Sequence, residues 1–146
     1  MQTNEELSPD HKLALMQKMN TLAKYWSLLG MELVDVKKGW AKVSLEFSEK
    51  LTHPLGIAHG GAIFSPADSA IAMALTGLVE QDEICATIEM KINYLKPFDK
   101  GKITAEANII HKGKKIAIGD VQVINDQGHI IAKGLATYMI MKTRAA

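Results

Sequence analysis

The N-terminal part of the chain carries apolar residues at helical spacing. They follow Ser8-Pro9-Asp10, which is typical of a helix start because a capping hydroxyl precedes a proline at the first helical position. The periodic apolar positions are Leu13, Met16, Met19, Leu22, Ala23 and Trp26. This pattern predicts an amphipathic helix over residues 10–29.

Alternation of apolar and polar residues with period two indicates the strands. Residues 31–36 and 41–47 alternate on either side of Lys37-Lys38-Gly39, which predicts a β-hairpin. Three later stretches predict four more strands, because a turn sequence, Asn-Asp-Gln-Gly, interrupts the last of them. These stretches span residues 84–95, 103–111 and 117–141.

A run over residues 60–79 holds a single charged side chain, Asp68. The run is long enough to span a membrane, but Asp68, Pro66 and many small side chains favour a buried helix instead. The small side chains let neighbouring backbone approach closely, which suits a helix wrapped by a sheet. Because Pro66 removes one backbone hydrogen bond, we expect the helix to kink there or to restart at Ser65.

The order of these elements assigns the chain to the α+β class, since a helix, a hairpin, a central helix and antiparallel strands follow one another without βαβ alternation. A length of 146 residues is that of one domain. We therefore expect a single domain over residues 1–146, with its N-terminal helix at about 10–29 and its core at about 30–142.

Composition narrows the possible functions. A formal net charge of +1 argues against a general nucleic-acid binder. The single cysteine, Cys85, cannot form an internal disulfide, and the polar, acidic N-terminus is unlike a signal peptide. We expect a cytoplasmic protein that neither binds nucleic acid nor enters the membrane.

Asp68 and the sequence His59-Gly60-Gly61 are the first candidates for chemistry. Asp68 either caps a helix that restarts after Ser65-Pro66 or acts as a catalytic base or nucleophile, and spacing alone does not decide between the two. The glycine pair opens the central helix, where unpaired amides could bind an oxyanion or a carbonyl oxygen. His53 and His59 flank a turn, but a third metal ligand is missing nearby, so we expect structural hydrogen bonds and no metal.

Two segments together carry a family resemblance. LGIAHGGAIFSPADSA at residues 55–70, followed by TIEMKINYLKP at residues 87–97, resembles the PaaI-like branch of the hot-dog thioesterases. The likeness runs from about residue 29 to residue 141. Its specific part combines His-Gly-Gly, an aspartate nine residues after that histidine, and a strand ending in Tyr-x-x-Pro. The resemblance implies a hot-dog fold, in which an antiparallel sheet wraps around the central helix, here with an extra N-terminal helix.

The resemblance also implies roles for individual residues and favours a catalytic Asp68. Asp68 would activate water or attack a thioester directly, while the Gly60 amide polarises the carbonyl and His59 shapes the loop beside it. Thr87 corresponds to a serine or threonine near the attacking water. Strand parity opposes this role unless a β-bulge intervenes, because the alternate residues are predicted to face the core. Those residues are Ile84, Ala86, Ile88, Met90 and Ile92.

The candidate substrate-binding residues are His53, Gly61, Lys112 and Lys114. His53 replaces an asparagine that the family usually has, so the charge at this position depends on pH. The two lysines belong to a turn, Lys-Gly-Lys-Lys, that is either simply solvated or attracts the phosphates of coenzyme A.

The predicted activity is hydrolysis of an acyl-CoA thioester, of aryl or aliphatic acyl group, without a metal or redox cofactor. A non-catalytic acyl-CoA-binding or sensor module is the alternative, and a hot-dog dehydratase or hydratase ranks below both. Gly60 and Asp68 lie eight residues apart, or about 12 Å along a helix, so one reacting carbon can hardly contact both. We therefore expect homodimers with shared active sites. The resemblance further implies a dimer of dimers.

Overall fold

The alternating segments form one antiparallel sheet of six strands in the computed structural model, which describes residues 3–144. The order of strands across the sheet is β1-β2-β4-β5-β6-β3, so that β1 and β3 are the two edges. The strands are β1 (Met31–Lys37), β2 (Trp40–Glu46), β3 (Glu83–Tyr94), β4 (Lys102–Lys112), β5 (Ile116–Asn125) and β6 (Ile130–Lys142). The helices are α1 (Pro9–Thr21), α2 (Lys24–Leu29) and α3 (Gly60–Thr76), with a 3-10 turn at Glu49–Leu51.

The sheet wraps around α3, as predicted. Ala67, Ala70 and Ala74 are fully buried against it, and their small side chains let the helix approach the strands closely. At Gly119 on β5 a Cβ atom would lie 2.6 Å from Cγ2 of Ile71, so a glycine is needed where strand and helix meet. The α+β prediction, with an antiparallel sheet around a central helix and an extra N-terminal helix, is confirmed. None of the helices within residues 3–144 combines the length and apolar character that crossing a bilayer requires.

The N-terminal helix differs from its prediction in one respect. It begins as expected, because Ser8 caps it through a 3.4 Å hydrogen bond from the His11 amide to the Ser8 hydroxyl. A single helix over 10–29 is wrong, however, since Ala23 adopts an extended backbone and separates α1 from α2. The break allows Trp26 to be buried while Leu22 remains 73% exposed. Burial of the larger side chain outweighs the loss of a few helical hydrogen bonds.

Pro66 does not divide the central helix. The expected restart at Ser65 is wrong, because α3 continues as one element from Gly60 to Thr76 with Pro66 inside it. The proline ring is fully buried in the core, and the adjacent Ser65 hydroxyl donates back to the Gly61 carbonyl at 2.9 Å. Apolar burial of the ring offsets the lost backbone hydrogen bond.

A β-bulge in β3 overturns the predicted parity of that strand. The pairing with β6 shifts register between Thr87 and Glu89, so that one extra residue reverses which side chains face α3. Cys85 and Thr87 face the helix before the bulge, whereas Met90 and Ile92 pack against the core after it. The prediction that Ile84, Ala86 and Ile88 face the core is therefore wrong, and Ile84 and Ile88 are each 50% exposed.

The outer edge of β1 is covered by a side chain of α1. The Asn20 amide donates to the Leu33 carbonyl at 3.2 Å and accepts from the Leu33 N–H at 2.7 Å. Leu33 is fully buried, so its backbone groups would otherwise lack partners away from water. At Leu33, the Asn20 side chain thus forms the two hydrogen bonds that a neighbouring strand would otherwise form.

Replacing Asn20 by Ala is expected to lower the free energy of unfolding by about 1–3 kcal/mol, because two buried backbone groups lose their partners. Urea denaturation followed by circular dichroism measures the change. Gln17→Ala is the matched control, since it removes an exposed amide side chain from the same helix and reports the gain in helix propensity alone. Equal stability of the two variants would contradict this role of Asn20.

Candidate active site

The first turn of α3 is built by His59, Gly60 and Gly61. His59 is the N-cap residue, with an extended backbone, and its Nδ1 accepts a 2.9 Å hydrogen bond from the Gly61 amide. Among residues 3–144 no acceptor pairs with the Gly60 N–H. That amide therefore points outward at the positive end of a helix of 17 residues.

Gly60 borders a cavity of about 530 Å³ whose wall is mostly apolar. Its lining residues include His53, Ile57, Ile63, Tyr94 and Phe98. The Tyr94 hydroxyl donates to the Gly60 carbonyl at 2.9 Å, which ties the start of α3 to the end of β3. A Cβ atom at Gly60 would lie 3.1 Å from Cζ of the Tyr94 ring, so the tight turn favours glycine here.

Asp68 lies two turns further along α3, on a stripe that the sheet leaves partly exposed. We call this the open stripe; it consists of Phe64, Asp68, Ala72 and Thr76. Thr87 Oγ1 donates to Asp68 Oδ1 at 2.9 Å. The Tyr138 hydroxyl also hydrogen-bonds to Oδ1, and it lies 2.7 Å from the Asp68 carbonyl oxygen.

These contacts remove one interpretation of Asp68. Capping of a restarted helix is wrong, because α3 begins at Gly60 and the carboxylate accepts hydrogen bonds from side chains of β3 and β6. The bulge after Thr87 is what allows its hydroxyl to reach the helix. The structure therefore brings Thr87 and Asp68 together and resolves the parity conflict.

Tyr138 belongs to the candidate site although no sequence pattern predicted it. It is 2% exposed and lies on the inner face of β6 beneath α3. Burial first, and then the hydrogen bond to Asp68, raises the pKa of Tyr138 well above its ordinary value. The signal was present in the sequence, because alternation in β6 places Tyr138 on the core side between Ala136 and Ile140. A buried tyrosine hydroxyl needs a hydrogen-bond partner.

The remaining predicted residues lie in two separate places. His53 Nδ1 accepts from the Leu55 amide at 3.1 Å, within the loop that leads to His59, and His53 also lines the cavity beside Gly60. Lys112 and Lys114 line a different concavity of about 1010 Å³. Within one chain the structure does not bring the lysines to Gly60 or Asp68.

The geometry offers two candidate half-sites. One is an amide donor beside an apolar cavity, and the other is a carboxylate on the open stripe that is absent from the lining of that cavity. Over residues 3–144 no group of three His, Cys, Asp or Glu side chains could hold a metal ion. A carboxylate and an outward-facing amide are the elements needed for acyl transfer.

Comparison with known proteins supplies the family context. The thioesterase superfamily profile matches residues 55–132 of this chain. The 1,4-dihydroxy-2-naphthoyl-CoA hydrolase of Listeria monocytogenes is 32% identical over 80% of this chain and 94% of its own length. The acyl-coenzyme A thioesterase PaaI of Escherichia coli is 30% identical over 71% of this chain and 73% of its own.

Solved structures agree with the fold. A thioesterase from Haemophilus influenzae superposes with a TM-score of 0.84 at 19% identity, over 99% of this chain and 98% of its own. The PaaI protein of Escherichia coli superposes with a TM-score of 0.76 at 24% identity, over 92% and 99%. At these identities the likeness concerns the fold alone. The resemblance to PaaI-like hot-dog thioesterases is confirmed.

Proposed function

This chain belongs to the thioesterase superfamily, and from that premise we propose that it hydrolyses an acyl-CoA thioester to a carboxylic acid and free coenzyme A. The observation that carries the proposal is the Asp68 carboxylate, held on the open stripe of α3 by a 2.9 Å hydrogen bond from Thr87. Two of the relatives named above are CoA thioester hydrolases by name. A carboxylate placed in this way argues for turnover and against a purely binding or sensing role.

The chemistry requires a base or a nucleophile. In one route Asp68 takes a proton from water while the water oxygen bonds to the thioester carbon; in the other, the carboxylate oxygen attacks that carbon and water then hydrolyses the anhydride. In both routes the carbon–sulfur bond breaks, and the leaving sulfur of coenzyme A receives a proton. Thr87 keeps the carboxylate oriented.

The developing negative charge on the thioester oxygen is stabilised by the Gly60 amide. That amide has no acceptor within residues 3–144 and lies at the positive end of α3. His59 holds the turn in shape by capping Gly61, whose own amide is thereby occupied. A Cβ atom at Gly61 would lie 3.0 Å from Nδ1 of His59, so glycine suits this capped turn, and His53 forms part of the neighbouring wall of the cavity.

The acyl group is apolar in this proposal. Ile57, Ile63 and Phe98 line the cavity beside Gly60, and its volume of about 530 Å³ suits an aryl group or a medium-length chain. The phosphates of coenzyme A are bound by Lys112 and Lys114, which border the concavity of about 1010 Å³ together with Lys115. Several ammonium groups in one turn provide the charge that phosphate requires.

The active site is shared by two chains. Gly60 and Asp68 belong to one continuous helix and lie about 12 Å apart along it, whereas a reacting carbon must lie roughly 3 Å from both groups, so Asp68 acts with Gly60 of a second copy. β3 is a sheet edge of 12 residues that exposes Ile84, Ile88 and Tyr94. The backbone N–H and C=O groups on the outer side of such an edge can pair with a strand of another chain. We place the two-fold contact there; assembly as a dimer of dimers stays a prediction from the resemblance.

Asp68→Asn is expected to lower kcat for release of coenzyme A thiol at least about 100-fold, because the base or nucleophile is lost. Asparagine still offers an oxygen to Thr87 and Tyr138, so thermal denaturation should change little. A thiol-release assay on a panel of acyl-CoA substrates measures the effect. Asp120→Asn, at an exposed carboxylate of β5, is the control and should keep wild-type activity. Substantial turnover by Asp68→Asn would refute the catalytic assignment.

Replacing Lys112 and Lys114 together by Ala should raise KM for acyl-CoA about tenfold while kcat stays unchanged, because phosphate contacts hold the substrate equally before and during reaction. The same acyl group on N-acetylcysteamine, which lacks the nucleotide, should show no change. The control is Lys18→Ala combined with Lys24→Ala, which removes equal charge from exposed positions of α1 and α2. If the two double variants had the same KM for acyl-CoA, Lys112 and Lys114 would contribute only to the overall charge of the protein.

Complementation between inactive chains tests the shared site. Asp68→Asn removes one half-site, and Gly60→Pro removes the amide of the other at a helix position that tolerates proline. The Cβ atom of the new proline would lie 3.1 Å from Cζ of the half-exposed Tyr94 side chain, so folding of this variant is checked by circular dichroism. Each homodimer should be inactive.

Mixed dimers refolded from equal amounts should regain about one quarter of wild-type activity, because half of the dimers are mixed and each has one intact site of two. In a site contained within one chain, every site would retain one defect and no activity would return. Absence of activity despite demonstrated mixed dimers of folded chains would therefore disprove the shared site.

A further inference from the structure

Resting on the proposed function, we infer that Tyr138 is a positioning residue whose buried hydroxyl, together with Thr87, fixes Oδ1 of Asp68 and leaves Oδ2 as the oxygen that acts on the substrate. Both donors converge on the same carboxylate oxygen. No donor within residues 3–144 forms a hydrogen bond with Oδ2. The carboxylate is thus oriented by one of its oxygens while the other is available for chemistry.

The register of the sheet produces this convergence. Thr87 on β3 and Tyr138 on β6 are directly paired, and the bulge that follows Thr87 lets both side chains face α3 at the same level. Asp68 lies above them on the helix. The two donors therefore approach one oxygen from neighbouring strands, and their positions are fixed by backbone pairing instead of by flexible loops.

Burial fixes the position of the Tyr138 ring and keeps its hydroxyl protonated as a hydrogen-bond donor. Its side chain is 2% exposed and is the largest of the fully buried side chains, so the ring cannot rotate away from the helix. Burial raises the pKa of this tyrosine well above its ordinary value, so the hydroxyl keeps its proton. A phenol donates to the neighbouring carboxylate, whereas a phenolate would repel it.

A purely structural role is the competing explanation. The Tyr138 hydroxyl also lies 2.7 Å from the Asp68 carbonyl oxygen, and its single proton can serve only one acceptor at a time. If the carbonyl were the only partner that mattered, Tyr138 would merely anchor α3 to the sheet. Stability alone cannot separate the two roles, but the pH dependence of catalysis can.

The positioning role has a specific kinetic signature. Loss of a donor to an ionised carboxylate favours its protonated form, so the acid limb of kcat/KM should move to higher pH. Looser orientation of the acting oxygen should lower kcat, whereas KM should stay within about twofold because Tyr138 is beneath the helix and does not touch substrate. A structural anchor would change neither the pH profile nor kcat of the folded protein.

The experiment compares Tyr138→Phe with Tyr25→Phe in the full-length chain. Tyr25 is the matched control, because its hydroxyl also bonds to α3, at 2.7 Å from Ser65 Oγ, but not at Asp68. Tyr138→Phe should lower kcat about 10- to 100-fold and shift the acid limb upward. Tyr25→Phe should leave kcat and the position of the acid limb unchanged.

A second variant covers the case in which Tyr138→Phe folds poorly. 3-Fluorotyrosine placed at position 138 keeps the hydroxyl and makes it a stronger donor, so the acid limb should move to lower pH, opposite to the phenylalanine variant. Opposite shifts from the two replacements would support the positioning role. Wild-type profiles in whichever of the two variants folds would overturn it.

The outcome can be separated from that of the proposed function by assaying Asp68→Asn in parallel. If Asp68→Asn is inactive and Tyr138→Phe keeps the wild-type kcat and pH profile, the inference about Tyr138 fails and the thioesterase proposal remains. If Asp68→Asn retains activity, the catalytic assignment of Asp68 fails, and with it the positioning of that carboxylate by Tyr138.

Discussion

A carboxylate on an otherwise uncharged helix is the constraint on which the site depends. Burying a polar group is costly unless it is hydrogen-bonded, and at the partly buried Asp68 side chain α3 offers no donor because its own amides are engaged in the helix. The sheet supplies the donors through Thr87 and Tyr138. The sheet that wraps α3 therefore does more than bury apolar surface, since it also sets the positions of the Thr87 and Tyr138 hydroxyls relative to the Asp68 carboxylate.

The same closeness explains why α3 is rich in small residues. A hydroxyl on β6 can reach the helix only if the two elements nearly touch, and Ala67, Ala70 and Ala74 permit that approach. Pro66 is tolerated inside the helix for a related reason, because its ring fills core space against the sheet. Close packing of α3 against the sheet and the hydrogen bond from β6 to Asp68 thus both require small residues on this helix.

Local sequence signals predicted the elements well but not their interruptions. Spacing of apolar residues and the Ser8-Pro9 start located the first helix, yet its break at Ala23 depends on the burial of Trp26 in a core most of whose other residues are distant in the sequence. The half-site residues Gly60 and Asp68 were found from a contiguous motif. Tyr138 was missed because it is 70 residues from Asp68 in sequence, and only the pairing of β3 with β6 brings it near.

Each chain carries an apolar cavity and an amide donor at one end of α3 and a held carboxylate near its middle, and within residues 3–144 the carboxylate is absent from the lining of that cavity. Gly60 and Asp68 lie about 12 Å apart along one continuous helix, which is too far for both to contact one carbon atom. The open stripe and the exposed edge of β3 border the same region, because Thr87 on that edge strand touches Asp68. A second copy paired along β3 would therefore cover the carboxylate of the first, and catalysis would follow from association instead of from conformational change.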